Sequence, residues 1–160
     1  MNRRVQTQEA AVPLAPVTLD LTVRFAETDL MGIVHHSTYV IWFEAGRVAW
    51  MAAAGIPYTE ISGLGRHFAV TGLRAEYRAA ARFGDVVRVT THLARLRSRH
   101  VAFAYNITRV GAGDGLDGEL LATGESEHIC VDLDGRMATI PPPIAARLLA
   151  GATQLAQGQP

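Results

Sequence analysis

One acid and the residues just after it carry the chemistry legible in this chain. Asp29 follows Thr28 in a loop that contains Gly32, and Ser37 or Thr38 can cap a helix starting near Tyr39. The first turn of a helix leaves backbone N–H groups without acceptors, so a carboxylate stands a few residues upstream of free amide donors. Such a carboxylate activates water as a general base or attacks an electrophilic carbon itself. Amides at a helix entry, near His36 and Ser37, hold an oxygen that becomes negative. The bland counterpart is that an Asp after Thr in a glycine-containing loop commonly does no more than close an Asx turn. His35 and His36 are adjacent, so their side chains diverge, and no further ligand spacing accompanies them; they are not read as a metal pair.

The elements that must position Asp29 follow from periodicity. Val17, Leu19, Leu21, Val23 and Phe25 alternate with Thr18, Asp20, Thr22 and Arg24, the period of a half-buried strand leading straight into the acid-bearing loop. From Tyr39 to Ala54 apolar residues keep to no stripe, and only Glu44 and Arg47 interrupt them. A helix of this kind is expected to be covered on most sides by a sheet or a second subunit, with Glu44 and Arg47 as a structural i,i+3 pair. Trp42, Phe43 and Trp50 on it read as core. Gly55 sits at the C-cap and Pro57 stops the helix from resuming. Tyr58 to Gly65 reads as a flexible connection able to act as a flap. Strand patterns then run over 67–78, with Gly72 a candidate bulge and Arg74, Glu76 and Arg78 on one face, and over 86–96. A hairpin at Arg97-Ser98-Arg99 returns into Val101–Thr108, and Glu119–Leu133 is the last long strand. Its Ala122, Gly124 and Ser126 are small enough to let a helix come close. The glycines of 111–118 superficially resemble a phosphate loop, but no helix follows them. A terminal helix is expected over Ile144–Ala150. One helix followed by consecutive strands implies an α+β fold, a mostly antiparallel sheet carrying one dominant helix.

With 160 residues, 49% hydrophobic content, a formal net charge of zero and a pI near 7.0, the chain reads as one domain with material for a core. We divide it into a flexible arm over 1–16, a single domain over 17–150 and a flexible tail over 151–160. The balanced charge argues against a nucleic-acid partner. Arg3-Arg4 is not followed by an apolar h-region and no apolar run is long enough for a bilayer, so no membrane association and a cytoplasmic location are expected. The single cysteine, Cys130, excludes a disulfide within the chain and reads as a core side chain.

Five blocks, taken in order, resemble a known family: ETDLMGIVHHSTYVIWFEAGR (27–47), FAVTGLRAEYRAAARFGD (68–85), RSRHVAFAY (97–105), LATGESEHICVDLDGR (121–136) and IPPPI (140–144). The family is that of the hotdog-fold acyl-CoA thioesterases of the 4-hydroxybenzoyl-CoA thioesterase type. The resemblance implies a five-stranded sheet wrapped around one long central helix, and homodimers or homotetramers whose active sites lie between subunits. It also implies hydrolysis of an acyl- or aroyl-coenzyme A, with no cofactor other than coenzyme A as part of the substrate and no metal. Asp29 matches the family's catalytic carboxylate, and His36 a histidine common in bacterial members. Ser37 and Tyr39, at the helix entry, are the expected substrate contacts. Arg97 and Arg99 are weaker candidates for the nucleotide phosphates. Three positions depart from the pattern: Phe25 stands where some relatives have tyrosine, Ala80 where proline is frequent, and His35 where an aromatic residue is usual. The rival readings are a hydratase or dehydratase of acyl thioesters on the same fold and a non-catalytic acyl-CoA-binding module.

Overall fold

The structure, a computed structural model, describes residues 16–111 and 118–157. In chain order it contains β1 (Val17–Thr22), a 3-10 turn (Phe25–Glu27), α1 (His36–Ala53), α2 (Tyr58–Gly63), β2 (His67–Tyr77), β3 (Val86–Leu96), β4 (His100–Arg109), β5 (Leu120–Val131) and α3 (Pro142–Gln157). The strands form one antiparallel sheet in the order β1-β3-β4-β5-β2. This is the expected α+β arrangement, with α1 laid across the sheet's inner face. Trp42, Phe43 and Trp50 on the helix pack with Val89, Leu93, Phe103 and Ile107 on the strands in one buried core. Among the described residues, no helix is long and apolar enough to cross a membrane.

Several expectations change. The first strand ends at Thr22, and the chain turns at Phe25, which is 75% exposed and meets Phe83 edge-on rather than joining the core. The long helix begins at His36, earlier than Tyr39, because His35 is its cap. The His35 Nδ1 accepts the Ser37 N–H at 3.3 Å, a task expected of Ser37 or Thr38. The helix also keeps a stripe after all. Thr38, Tyr39, Trp42, Phe43, Gly46, Arg47, Trp50 and Met51 are buried, whereas Ile41, Glu44 and Val48 face outward. Arg47 is therefore on the inner side and Glu44 on the outer, and the expected pair between them is not made.

Residues 58–63 are helical rather than a flexible connection, because Ile61 is fully buried and anchors that turn. The C-terminal helix continues past Ala150 to Gln157, so most of the expected tail is ordered helix. The expected arm up to residue 15 and most of the glycine-rich hairpin loop lie outside the described residues.

Two glycines set the helix-to-sheet distance. A Cβ on Gly46 would stand 2.3 Å from the Thr91 hydroxyl, and one on Gly124 would stand 2.3 Å from the Phe43 ring and 2.9 Å from the Arg74 carbonyl. Phe43 sits over Gly124 and is stacked at 4.6 Å on Tyr105, the residue paired with that glycine. Gly124→Ala is expected to destabilise the fold by about 1–3 kcal/mol through overpacking. Denaturant unfolding reads this, and Phe43→Leu in the same chain should recover part of the loss.

The expected bulge is present: the β2–β5 register slips between Val70 and Gly72. Among the described residues β2 pairs only with β5, which leaves its other edge open. Residues paired across two strands share a face, so Val70, Leu73 and Tyr77 lie on the inner face beside His128, Ser126 and Ala122. They are 59%, 45% and 48% exposed, an uncovered apolar strip between α1 and the sheet edge.

Candidate active site

Glu27 builds the platform on which Asp29 stands. Its carboxylate accepts the Arg24 N–H at 2.8 Å, the Arg24 Nη2 at 2.9 Å and the Trp42 indole N–H at 3.4 Å. Its carbonyl accepts the His35 N–H at 2.8 Å and the Thr38 hydroxyl at 3.4 Å. One residue thus ties the acid-bearing loop to the first turn of α1. Burial works to raise the Glu27 carboxyl, but the bonds from Arg24 and Trp42 outweigh it and hold the group below the usual range, so it is ionised at neutral pH.

The loop itself is short and closed. Asp29 donates its N–H to the Ile33 carbonyl and accepts the Gly32 N–H on its own carbonyl, both at 2.9 Å, and Gly32 takes a φ of 71° that suits glycine. The Asp29 Oδ1 accepts the Met31 N–H at 2.8 Å. The Asx turn is therefore real, and it fixes the carboxylate instead of occupying it, since no described residue donates to Oδ2.

Asp29, His36, Tyr39, Tyr77 and Arg78 line one open cleft of about 370 Å³, a volume within the range of small-ligand sites. Tyr77 closes it from β2. Its hydroxyl donates to the His36 carbonyl at 2.9 Å, and its ring meets Tyr39 edge-on at 5.2 Å. The Tyr39 hydroxyl accepts the Ala81 N–H at 3.3 Å. At the helix mouth the amides of His35, Ser37 and Thr38 are engaged, with the Glu27 carbonyl, the His35 ring and the His35 carbonyl respectively. No backbone carbonyl among the described residues takes the amide of His36. A fixed carboxylate and an unshared amide thus belong to residues that line one cleft, the arrangement that cleavage of an activated acyl group requires.

The expected site residues divide accordingly. Asp29, His36 and Tyr39 come together. Ser37 lies at the helix mouth, but its hydroxyl is bound to the His35 Nδ1 at 2.7 Å and serves the cap. Arg97 and Arg99 stand exposed on the β3–β4 hairpin, whereas Val23, just before the acid loop, is bonded to Asp85 at the opposite end of β3. A strand of this length spans roughly 30 Å, so the two arginines do not share the cleft with Asp29 within one chain. Sequence reasoning missed Glu27, Tyr77 and Arg78. The buried Trp42 indole, which must find an acceptor, was the one available pointer to Glu27. The contact of Tyr77 with His36 crosses 41 positions and leaves no local signature.

A second polar group lies deeper, under α1. The Tyr105 and Ser126 hydroxyls are 2.6 Å apart, and the Ser126 Oγ is 2.9 Å from the His128 Nε2. Burial, helped by the charge of Arg47, pushes His128 down from 6.5 to about 4, so its ring is neutral at physiological pH. Because the folded value lies below the unfolded one, the unfolded chain takes up this proton first. Stability from this group is complete above about pH 6.5 and is lost as pH falls towards about 4. His128→Gln is expected to flatten that part of a plot of denaturation midpoint against pH.

A profile of the thioesterase-like superfamily matches residues 23–148. YneP of Bacillus subtilis, provisionally assigned as an acyl-CoA thioesterase, is 32% identical over 71% of this chain and 78% of its own length. A hypothetical protein from Thermus thermophilus, of known crystal structure, superposes with a TM-score of 0.75 at 43% identity, covering 82% of this chain and 95% of that one. A DHNA-CoA thioesterase from Staphylococcus aureus superposes with a TM-score of 0.75 at 25% identity, covering 91% and 96%.

Proposed function

The chain belongs to the thioesterase-like superfamily, and we propose that it hydrolyses acyl- or aroyl-coenzyme A in the cleft shared by Asp29 and the start of α1. The observation that carries this reading is the meeting of the fixed Asp29 carboxylate and the unshared His36 amide at one cleft.

The thioester carbonyl oxygen accepts the His36 N–H, and the positive end of the α1 dipole lies behind that donor. Water adds to the carbonyl carbon as Asp29 takes its proton; in the nucleophilic variant the Asp29 oxygen adds first and water opens the resulting anhydride. In either case the carbon–sulfur bond breaks, the electron pair leaves with the coenzyme A sulfur, and one proton from water ends on that thiol. The oxygen held by the amide gains charge only as the tetrahedral species forms, so this donor lowers the barrier more than it tightens substrate binding. Tyr77 and Tyr39 wall the cleft, and Arg78 at its margin offers a cation to the phosphates of the substrate.

The working form is a cytoplasmic homodimer or homotetramer. An antiparallel pairing of β2 with β2 of a second copy, across a two-fold axis, brings the apolar strip of Val70, Leu73 and Tyr77 to the seam between the copies. The same operation carries the hairpin end of one chain towards the Asp29 end of the other, which is the route by which Arg97 and Arg99 reach coenzyme A.

The test is release of free thiol from a panel of short, medium and aromatic acyl-CoAs. Hydrolysis liberates coenzyme A, whereas hydration of the acyl group or simple binding does not. A panel in which every thioester is bound but none is cleaved rules the reading out.

A further inference from the structure

Resting on the thioesterase reading, we propose that Arg47 and His128 form the far end of the acyl site and select acyl groups bearing a carboxylate away from the thioester. The first observation is an uncompensated charge. Arg47 is 8% exposed, its Nη1 is buried without a hydrogen-bond partner, and no ion pair joins it to a described carboxylate. The Tyr58 ring lies 5.9 Å from its guanidinium carbon. Arginine does not shed its proton, so this site carries a buried cation whose counter-charge must come from outside the single chain.

The second observation is a polar group within reach of the Arg47 charge. His128 is 1% exposed and its Nδ1 is likewise buried and unpartnered. The two contacts fit a chain of donors that runs either way; run from Tyr105 through Ser126 to His128, it makes the Nε2 the acceptor. The remaining proton of the neutral ring then sits on Nδ1, which becomes a second unsatisfied donor. A cation and an N–H that both lack acceptors match a carboxylate and do not match a hydrocarbon terminus.

The third observation is the exposed apolar strip that leads from the cleft towards this pair. Tyr77 lines the Asp29 cleft, and Leu73 and Val70 continue from it along the inner face of β2 to the residue paired with His128. On the helix, Tyr39, Phe43 and Arg47 follow one another at successive turns. Roughly 16 Å of helix axis separates the His36 amide from Arg47, with apolar side chains between. An acyl group fitted to this path is apolar in its middle and anionic at its end.

The competing source of negative charge is Glu44 of a second copy, since that carboxylate is exposed on the same helix and is not paired in the single chain. The experiment compares octanoyl-CoA with suberyl-CoA, its counterpart ending in a carboxylate, on the full-length wild type, Arg47→Met, Arg47→Lys and Glu44→Gln, with dimer dissociation measured alongside. The wild type is expected to favour suberyl-CoA in kcat/KM by roughly 10- to 100-fold, the worth of a hydrogen bond to a charged group. Arg47→Met should lose most of that ratio through KM, and Arg47→Lys, which keeps the charge, should retain part of it. Equal rates on the two substrates in the wild type overturn the proposal even where Arg47→Met fails to fold, and a ratio that survives Arg47→Met overturns it as well. It is also overturned if Glu44→Gln loosens the dimer as much as Arg47→Met does and the substrate ratio is flat, because Arg47 is then neutralised by the second copy. Cleavage of octanoyl-CoA with no preference leaves the thioesterase reading standing, whereas cleavage of no thioester removes both.

Discussion

Asp29→Asn is expected to lower kcat for thioester hydrolysis by about 10²- to 10⁴-fold, the usual worth of a positioned base. The substitution is informative because of what it spares. Asparagine keeps an Oδ1 that can accept the Met31 N–H, so the turn that fixes residue 29 persists and the Glu27 platform is untouched. What disappears is a basic, nucleophilic oxygen on the side that no described residue occupies. The loss should fall on kcat, with KM moving by no more than a few fold, because the carboxylate acts on the transition state and contributes little to ground-state binding. Thiol release under saturating acyl-CoA measures it, with a thermal melt to verify that the fold is unchanged. An Asp29→Asn enzyme as fast as the wild type would remove Asp29 from the mechanism.

His36→Pro tests the other half of the site and should cost about 10²- to 10³-fold in kcat, the effect of deleting one oxyanion donor. Proline is ordinarily ruinous inside a helix, but His36 is the first helical residue, where no intrahelical bond uses the amide and a φ near −65° is already required. The preceding His35 has φ −62° and ψ 138°, a conformation that a following proline accepts. His36→Pro therefore removes the N–H with little other disturbance to the backbone. His36→Ala removes the ring and keeps the amide, so comparing the two separates the imidazole from the backbone donor. If alanine costs as much as proline, the ring is the active part and the oxyanion assignment is wrong.

The ease with which the sequence discloses its fold differs from element to element. β2, β3, β4 and β5 were legible to within a residue or two because one side of the sheet is buried and the other is wet, which writes a period of two into the chain. Asp29 was legible because loop, cap and helix are contiguous. The sequence points to a later helix start because histidine is not among the usual capping residues, and only the structure shows its ring nitrogen turned back on Ser37. The spacing of Glu44 and Arg47 points to a structural pair, but the helix turns Glu44 to the outside and Arg47 to the inside, close enough to His128 for its charge to be felt there, a division that the i,i+3 spacing does not disclose. Tyr77 and Arg78 reach the cleft through tertiary contact alone, so no spacing rule points to them. Burial of Ile61 converts an apparently loose glycine-flanked stretch into α2.

Among the described residues both margins of the sheet are free, which invites copies to add without limit, each chain's β1 margin receiving the β2 margin of the next. Here the two margins are ill-matched for such head-to-tail growth. β1 offers only six residues against the eleven of β2, and the longer margin is broken midway by the slip between Val70 and Gly72. A straight foreign strand cannot follow that kink along its whole length, whereas a copy bearing the same kink, turned end for end, meets it symmetrically. The irregularity therefore favours a closed pair and discourages polymerisation into fibres.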